Sequence, residues 1–263
     1  MINIHETAII KDGAIIGSDV TIGAFTIIGG GVTIGNGTTV GSHTLIDGKT
    51  TIGENNRIFS HAVLGTIPQD LKFDGEETQL LIGDNNTIRE HTLLNTGTSG
   101  GRYKTIIGNN SLLMGHVHIG HDCILADNIV IANSCAIAGH VTIDNNCVIG
   151  GMSAIHQFCQ IGEQAMIGGG SILVQDMPPF CICEGNRAIL RSLNINGLRR
   201  RFKNNRSDID AIKKAYKDIF DSGLPIVDIS HEILKKSDNI YARQLASFVI
   251  TSKRGIPFTR KEQ

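Results

Sequence analysis

Aliphatic side chains return at every sixth position for most of this chain. The series runs from Ile4 through Ile10, Ile16, Ile22, Val40 and Ile58 to Leu64, resumes at Ile82, Ile88 and Leu94, and runs again from Ile107 through Ile119, Ile137 and Ile155 to Leu173. Glycine often follows the aliphatic residue, as at Gly17, Gly35, Gly53, Gly108 and Gly162. A helix needs spacings of three and four, and an ordinary half-buried strand alternates every second residue over a short run. A sustained period of six fits neither. It fits a triangular coil in which each hexad makes one short strand and one corner, and three hexads close a turn of 18 residues. The aliphatic residue then points into the prism, and Gly, Asn, Asp and Ser serve the corners. Successive turns stack through parallel backbone hydrogen bonds about 4.8 Å apart. The predicted fold is mainly β, a parallel β-helix over residues 1–190.

Two interruptions break the series. Residues 65–81 carry the loop Ile67-Pro68-Gln69-Asp70-Leu71-Lys72-Phe73, and its length is read as replacing regular hexads while keeping phase. Between Leu94 and Ile107 the gap is 13, one more than two hexads, so Thr96-Gly97-Thr98-Ser99-Gly100-Gly101-Arg102 must bulge out. Loops on a rigid solenoid are where ligand contacts concentrate. The coil is expected to end near Met177-Pro178-Pro179-Phe180, because proline removes ladder donors. Beyond Ser192, Ile209, Ile212, Ala215, Tyr216 and Ile219 carry helical spacing with Asp208 near the N-cap, and residues 230–234 and 242–251 read as helix. The segment 191–263 is therefore expected to be an α-helical domain, too small for a large core of its own.

Composition narrows the function. A net charge of −1 points to neither nucleic acid nor a membrane surface. The first residues lack a basic segment followed by an apolar run, and no apolar stretch reaches the length of a spanning helix, so a cytoplasmic protein without integral membrane contact is expected. Cys123, Cys135, Cys147 and Cys159 recur every twelve residues with no Cys-x-x-Cys pair, so the six cysteines are read as free buried thiols.

The period also serves as a ruler: residues 18 apart lie one turn apart on the same face. In the stretch Met114-Gly115-His116-Val117-His118-Ile119-Gly120-His121-Asp122, His121 falls over Gly139, and Gly139 over Gln157; Asp122 falls over His140. A histidine is a base near neutral pH. A glycine beside it allows close backbone approach, and its N–H can face a developing oxyanion. Acyl transfer needs that set. The bland alternative is solvated corner histidines, and a zinc reading of His116, His118 and His121 requires three different hexad positions to converge. The run Arg199-Arg200-Arg201 with Lys203 and Arg206 is either a solvated helix face or a clamp for phosphate or an acidic partner.

These residues resemble the UDP-N-acetylglucosamine acyltransferases of lipid A synthesis across essentially the whole chain. The segments that carry the resemblance are Gln69-Asp70-Leu71-Lys72, Ile88-Arg89-Glu90, His118-Ile119-Gly120-His121-Asp122-Cys123, Ala138-Gly139-His140, Ile155-His156-Gln157-Phe158, Glu184-Gly185-Asn186-Arg187 and Arg254-Gly255. The resemblance implies a left-handed winding of the coil, a homotrimer with sites between neighbouring coils, and transfer of an R-3-hydroxyacyl chain from acyl carrier protein to the 3-position of a UDP-sugar, with no metal and no cofactor. It implies His121 as general base, Asp122 as its orienting group and the Gly139 N–H as oxyanion donor. It implies substrate contacts from Gln69, Asp70, Lys72, His118, His140, His156 and Gln157, and phosphate or carrier contacts from Asn194, Arg200 and Arg201. Gly169 and Arg187 fall where the family sets acyl-chain length. Asn95 stands where some members of the family have a histidine, and Asn196 where the nucleotide-contacting segment has a glutamate, which leaves the detail of the acceptor open. Some members acylate a 3-amino sugar, which leaves oxygen or nitrogen open. Two other readings stand beside this one: an acetyl-CoA-dependent N-acetyltransferase acting on an amino-sugar nucleotide, and a non-catalytic assembly coil.

Overall fold

The computed structural model describes residues 2–203 and 205–258. Two-residue strands repeat at the hexad spacing and stack into three parallel walls, which gives the left-handed parallel β-helix. The first wall holds Asn3–Ile4 through Met166–Ile167, the second Ile9–Ile10 through Ile172–Leu173, and the third Ile15–Ile16 through Gln160–Ile161. Each hexad aliphatic residue points inward: Ile28, Ile46, Leu64, Ile119, Ile137, Ile155 and their equivalents from Ile22 onward are essentially inaccessible to water. The apolar residue thus supplies the driving force for each short strand, and the wall hydrogen bonds satisfy its backbone.

Most corners use one residue with positive φ. Asp19, Asn55, Asn85, Asn110, Asn128 and Asn146 occupy the corner entering the first wall, as expected for a residue type that tolerates left-handed backbone. Histidine fills the next corner: His43, His61, His91 and His116 stack with ring centroids 5.2, 5.0 and 4.7 Å apart. Asp122, His140 and Phe158 occupy the third corner, which leads from the second wall to the third. The buried thiols fill wall-facing niches and donate weakly, Cys123, Cys135 and Cys147 each to a carbonyl oxygen 3.1 Å away, as Thr38 and Ser153 do at 3.0 Å.

The interruptions behave differently from the sequence reading. Arg57 pairs with Thr39 eighteen residues back but with Thr87 thirty residues on. The first interruption therefore replaces no hexads; it adds twelve residues to a single corner. Leu93 pairs with His118, a spacing of 25, so the second interruption adds seven. Both leave from the corner between the second and third walls, on successive turns, just before His121 reaches that corner.

The coil also runs past the prolines. Met177 bridges to Ile161, Cys181–Glu184 adds in parallel to the first wall, and Ile189–Leu193 folds back antiparallel on it. Among the described residues four helices follow: α1 (Ile195–Arg201), α2 (Arg206–Tyr216, continuing as a π-helical turn Lys217–Asp221), α3 (Ile226–Lys236) and α4 (Ile240–Thr251). Asn205 rather than Asp208 is the N-cap of α2; Asp208 sits in its first turn. Residues 252–255 return to the coil, where fully buried Asp176 accepts hydrogen bonds from Ser252 Oγ (2.8 Å) and the N–H groups of Lys253 and Arg254 (both 3.0 Å). Residues 259–263 of the expected helical segment lie outside the described residues.

Candidate active site

The third corner assembles the chemistry. A Cβ built on Gly139 would lie 2.6 Å from both Cε1 and Nε2 of His121, so the imidazole rests directly on the bare main chain one turn away. His121 Nδ1 meets Asp122 Oδ2 at 3.0 Å. Its other nitrogen, Nε2, lies 4.0 Å from Asp70 Oδ2, carried in by the first added loop. The ring is 15% exposed, so it lines a recess rather than the apolar interior. His140 stands edge-on to it with centroids 4.9 Å apart, and His140 Nδ1 is 4.0 Å from Asp122 Oδ2. Among the described residues the Gly139 N–H donates to no protein group, which leaves it free for a bound substrate atom.

Asp122 is fully buried yet charged. Burial pushes its carboxyl up, but hydrogen bonds from the Thr98 hydroxyl and His121, and from the N–H groups of Arg102 and Thr98, outweigh that and hold it below the usual carboxylate range. Desolvation lowers His140 and His118, keeping both toward the neutral form. The two closest carboxylate contacts are short, Thr98 Oγ1 at 2.6 Å and Arg102 N at 2.5 Å, and Thr98 N adds a third at 3.1 Å. Arg102 Nη1 also donates to the Asp122 carbonyl at 2.8 Å.

The structure sorts the other residues marked by the sequence. Asp70 folds its own loop, accepting from Lys72 N at 3.0 Å, while Lys72 and Gln69 stay exposed beside it. His118 lies on the flat second wall, paired in register with Leu93 and Ala136, with a buried Nδ1 that has no protein partner. His116 is a corner residue of the stacked ring column, away from His121. The zinc reading of His116, His118 and His121 therefore finds no common centre. The group that does bring ligand atoms within 4.8 Å of one another is His121, Asp122 and His140, and there both oxygens of Asp122 are already engaged by donors. His156 and Gln157 are exposed one turn below, with His156 Nδ1 3.1 Å from the Gln157 carbonyl oxygen. Asn95 donates to the Ile67 carbonyl at 2.9 Å and so anchors the root of the Asp70 loop.

The C-terminal residues are more distant in kind. Asn194 caps α1, accepting from Gly197 N at 3.0 Å and donating to the Gln164 carbonyl at 3.1 Å. Arg201 is held by Glu163 and lies over the rings of Phe202 and Tyr241, whereas Arg200 is exposed on α1. Gly169 falls on the corner between the first and second walls, in the column of Gly151, and Arg187 is exposed beyond Asn186, which bridges to Ile172. Within one chain neither shares the corner of His121. Thr98, Gly101 and Arg102 were not marked as site residues by sequence reasoning; the thirteen-residue gap was the only signal for them.

A hexapeptide coil with an imidazole on a bare main-chain amide, overhung by an acid-bearing loop, defines a transferase of the hexapeptide-repeat class. Residues 13–48 match the model of the bacterial transferase hexapeptide, and residues 176–257 match UDP-N-acetylglucosamine O-acyltransferase, domain 2. The acyl-[acyl-carrier-protein]–UDP-N-acetylglucosamine O-acyltransferase of Aliarcobacter butzleri is 62% identical over 99% of this chain and 100% of its own length; that of Sulfurimonas denitrificans is 64% identical over 99% of each. The solved UDP-N-acetylglucosamine acyltransferase from Campylobacter jejuni superposes with a TM-score of 0.94 at 40% identity, covering 98% of this chain and 100% of that one. This chain belongs to the acyl-[acyl-carrier-protein]–UDP-N-acetylglucosamine O-acyltransferase family.

Proposed function

We propose that this chain transfers an R-3-hydroxyacyl group from acyl carrier protein to the 3-position of UDP-N-acetylglucosamine or its 3-amino analogue, the first step of lipid A synthesis. The observation that carries this reading is the His121 ring seated on Gly139 with Asp122 behind it and Asp70 before it. In that arrangement Asp122 holds the proton on Nδ1, which leaves the Nε2 lone pair facing the recess. Nε2 takes the proton of the acceptor group as its oxygen or nitrogen attacks the thioester carbon. The Gly139 N–H stabilises the tetrahedral oxyanion. The carbon–sulfur bond breaks, and the proton on His121 passes to the departing thiolate. The chain needs no acyl-cysteine intermediate, since all six thiols are buried and Cys123 is pushed up to about 12 by desolvation.

Gln69, Asp70, Lys72, His118, His140, His156 and Gln157 are the proposed sugar-nucleotide contacts, and Asn194, Arg200 and Arg201 the proposed contacts to phosphate or carrier. The placement of Gly169 on another corner supports a homotrimer, in which one subunit's Gly169 and Arg187 limit the acyl chain that reaches a neighbour's His121. We further propose a two-domain division, with residues 1–190 forming the coil and 191–263 the helical domain, and a cytoplasmic location; among the described residues no helix is long and apolar enough to cross a membrane.

The test is direct. Purified protein is assayed with R-3-hydroxyacyl carrier protein and either UDP-N-acetylglucosamine or the 3-amino sugar, and separately with acetyl-CoA. Wild-type turnover with the carrier substrate, lost by about 10²-fold or more in His121→Ala with the trimer intact, is expected. Turnover with acetyl-CoA alone, or near wild-type rates in His121→Ala, overturns the reading.

A further inference from the structure

The second added loop has a use that neither the hexad pattern nor the base itself explains. It consists of seven residues beyond the ordinary turn, and it closes over one group, the Asp122 carboxylate. Thr98 supplies two donors to Oδ2, its N–H at 3.1 Å and its hydroxyl at 2.6 Å. Arg102 N–H donates to Oδ1 at 2.5 Å, and Thr105 Oγ1 accepts from Asp122 N at 2.9 Å. Gly101 lies so close that any Cβ there would overlap the carboxylate, so only glycine lets the loop shut. The carboxylate is inaccessible to water, and the one remaining partner on Oδ2 is His121 Nδ1 at 3.0 Å.

The loop is also tied to the one that brings Asp70. Glu76 Oε1 accepts from Ser99 N at 2.7 Å, and Thr78 and Thr96 join through their hydroxyls at 2.8 Å. The backbone N–H groups of Ser99 and Asp74 hold the Glu76 carboxyl down at about 2, so the tie persists across the working pH range. The two loops that flank the recess are thus joined to each other, with the carboxylate at its back.

We propose that Thr98 is a positioning residue for acyl transfer: its hydroxyl and N–H fix the Asp122 carboxylate, and through it the tautomer and orientation of His121. This rests on the reading of His121 as the base. A buried carboxylate with fewer donors is free to rotate about its last bond, and Oδ2 would no longer face Nδ1. The imidazole would then hold several ring orientations and both tautomers, of which one presents Nε2 as a base. A threonine hydroxyl that only filled space would leave the ring unaffected when its shape was preserved.

The experiment compares Thr98→Val, which keeps the shape and loses the donor, with Thr98→Ser, which keeps the donor. Thr98→Ala is the second loss variant should valine disturb folding. With carrier substrate and UDP-sugar, the loss variants are expected to drop in kcat by on the order of tenfold or more with KM for the sugar nucleotide within about twofold, and serine to restore most of the loss. Histidine-labelled protein read by NMR gives a second arm that needs no turnover. His121, assigned by its absence in His121→Ala, should show one neutral tautomer protonated at Nδ1 in wild type and serine, and a mixture in the loss variants. Wild type inactive toward the carrier substrate would sink the proposed function while leaving the NMR arm to decide the role of Thr98. A single unchanged tautomer in valine and alanine, or serine falling as far as valine, overturns the positioning role.

Discussion

Gly139→Ala separates the position of the His121 ring from every other property of the site. Gly139 has ordinary backbone dihedrals, so alanine meets no conformational barrier of its own. Its methyl would sit 2.6 Å from Cε1 and Nε2 of His121, whereas non-bonded carbon contacts settle near about 3.6 Å. The ring must therefore give way by about 1 Å. Asp122 cannot follow it, because Thr98 and Arg102 pin both carboxylate oxygens. The Nδ1 to Oδ2 separation, now 3.0 Å, would stretch beyond hydrogen-bond range. The object being pushed is a side chain and not the wall, so the fold should hold, with a stability loss of about 1–3 kcal/mol. Misplacement by about an ångström at a reacting group costs on the order of 10²-fold in rate. The amide N–H proposed for the oxyanion is retained, so the loss reports the ring alone. Steady-state acyl transfer is measured beside urea unfolding and size-exclusion mass. A folded variant of unchanged mass with kcat within threefold of wild type would refute the argument that ring registry on Gly139 governs the chemistry.

Two further perturbations test the packing and the charges. Asp176→Ala removes the acceptor for Ser252, Lys253, Arg254 and, at 2.8 Å, the Gln160 N–H, leaving buried donors without partners; a loss of about 3 kcal/mol in urea unfolding and early proteolysis after α4 are expected. His118 and His140 are both held below the ordinary 6.5 by desolvation, so between 6.5 and their folded values the unfolded chain binds protons that the folded chain does not. Stability is accordingly full above about pH 6.5 and falls as pH drops below it; urea midpoints at pH 8.0 and 5.5 should show the decline, and His118→Gln should flatten it. The depressed Asp122 carboxyl acts in a lower window, its contribution being present above the ordinary carboxylate value of 3.8 and lost as pH falls further.

The walls were legible because a period of six leaves little choice. Each inward aliphatic residue is its own strand nucleus, and residues 18 apart must stack wherever the turn is regular, which is why His121 was found over Gly139 from counting alone. The ruler fails across the loops: Thr39 to Arg57 is 18, but Arg57 to Thr87 is 30 and Leu93 to His118 is 25. Phase modulo six cannot tell a loop that replaces a turn from one that hangs off a corner, since both return the chain to the same inward position. The helices were harder, because their apolar residues must match surfaces that the hexad pattern does not encode. The short α1 (Ile195–Arg201) carries one fully buried aliphatic residue, Leu198, too few to show a period. The Asp122 cradle was invisible for a different reason: two of its donors are the backbone N–H groups of Thr98 and Arg102 and Gly101 contributes a missing side chain, while the Thr98 hydroxyl comes from a residue type common in any loop, so no residue pattern marks it.

A regular prism has no recess, and this one acquires its recess by accumulation at a single corner. Left to the hexad rule, the turn before His121 would present a flat wall and a glycine corner, and the imidazole would stand in bulk water. The two added loops, twelve and seven residues, depart from consecutive turns on that side. The first brings Asp70 to within 4.0 Å of Nε2, and the second seals the carboxylate behind Nδ1. Asn95, at the root of the first loop, uses its amide to hold Ile67 in place. That amide also reaches the Thr66 hydroxyl at 3.2 Å, so the strand that opens the second loop is tied to the start of the first. The chemistry of the corner is therefore set by the insertions as much as by the repeat. The repeat supplies rigidity and the vertical spacing of imidazole and amide; the insertions supply the charge, the exclusion of water, and the direction in which the imidazole faces.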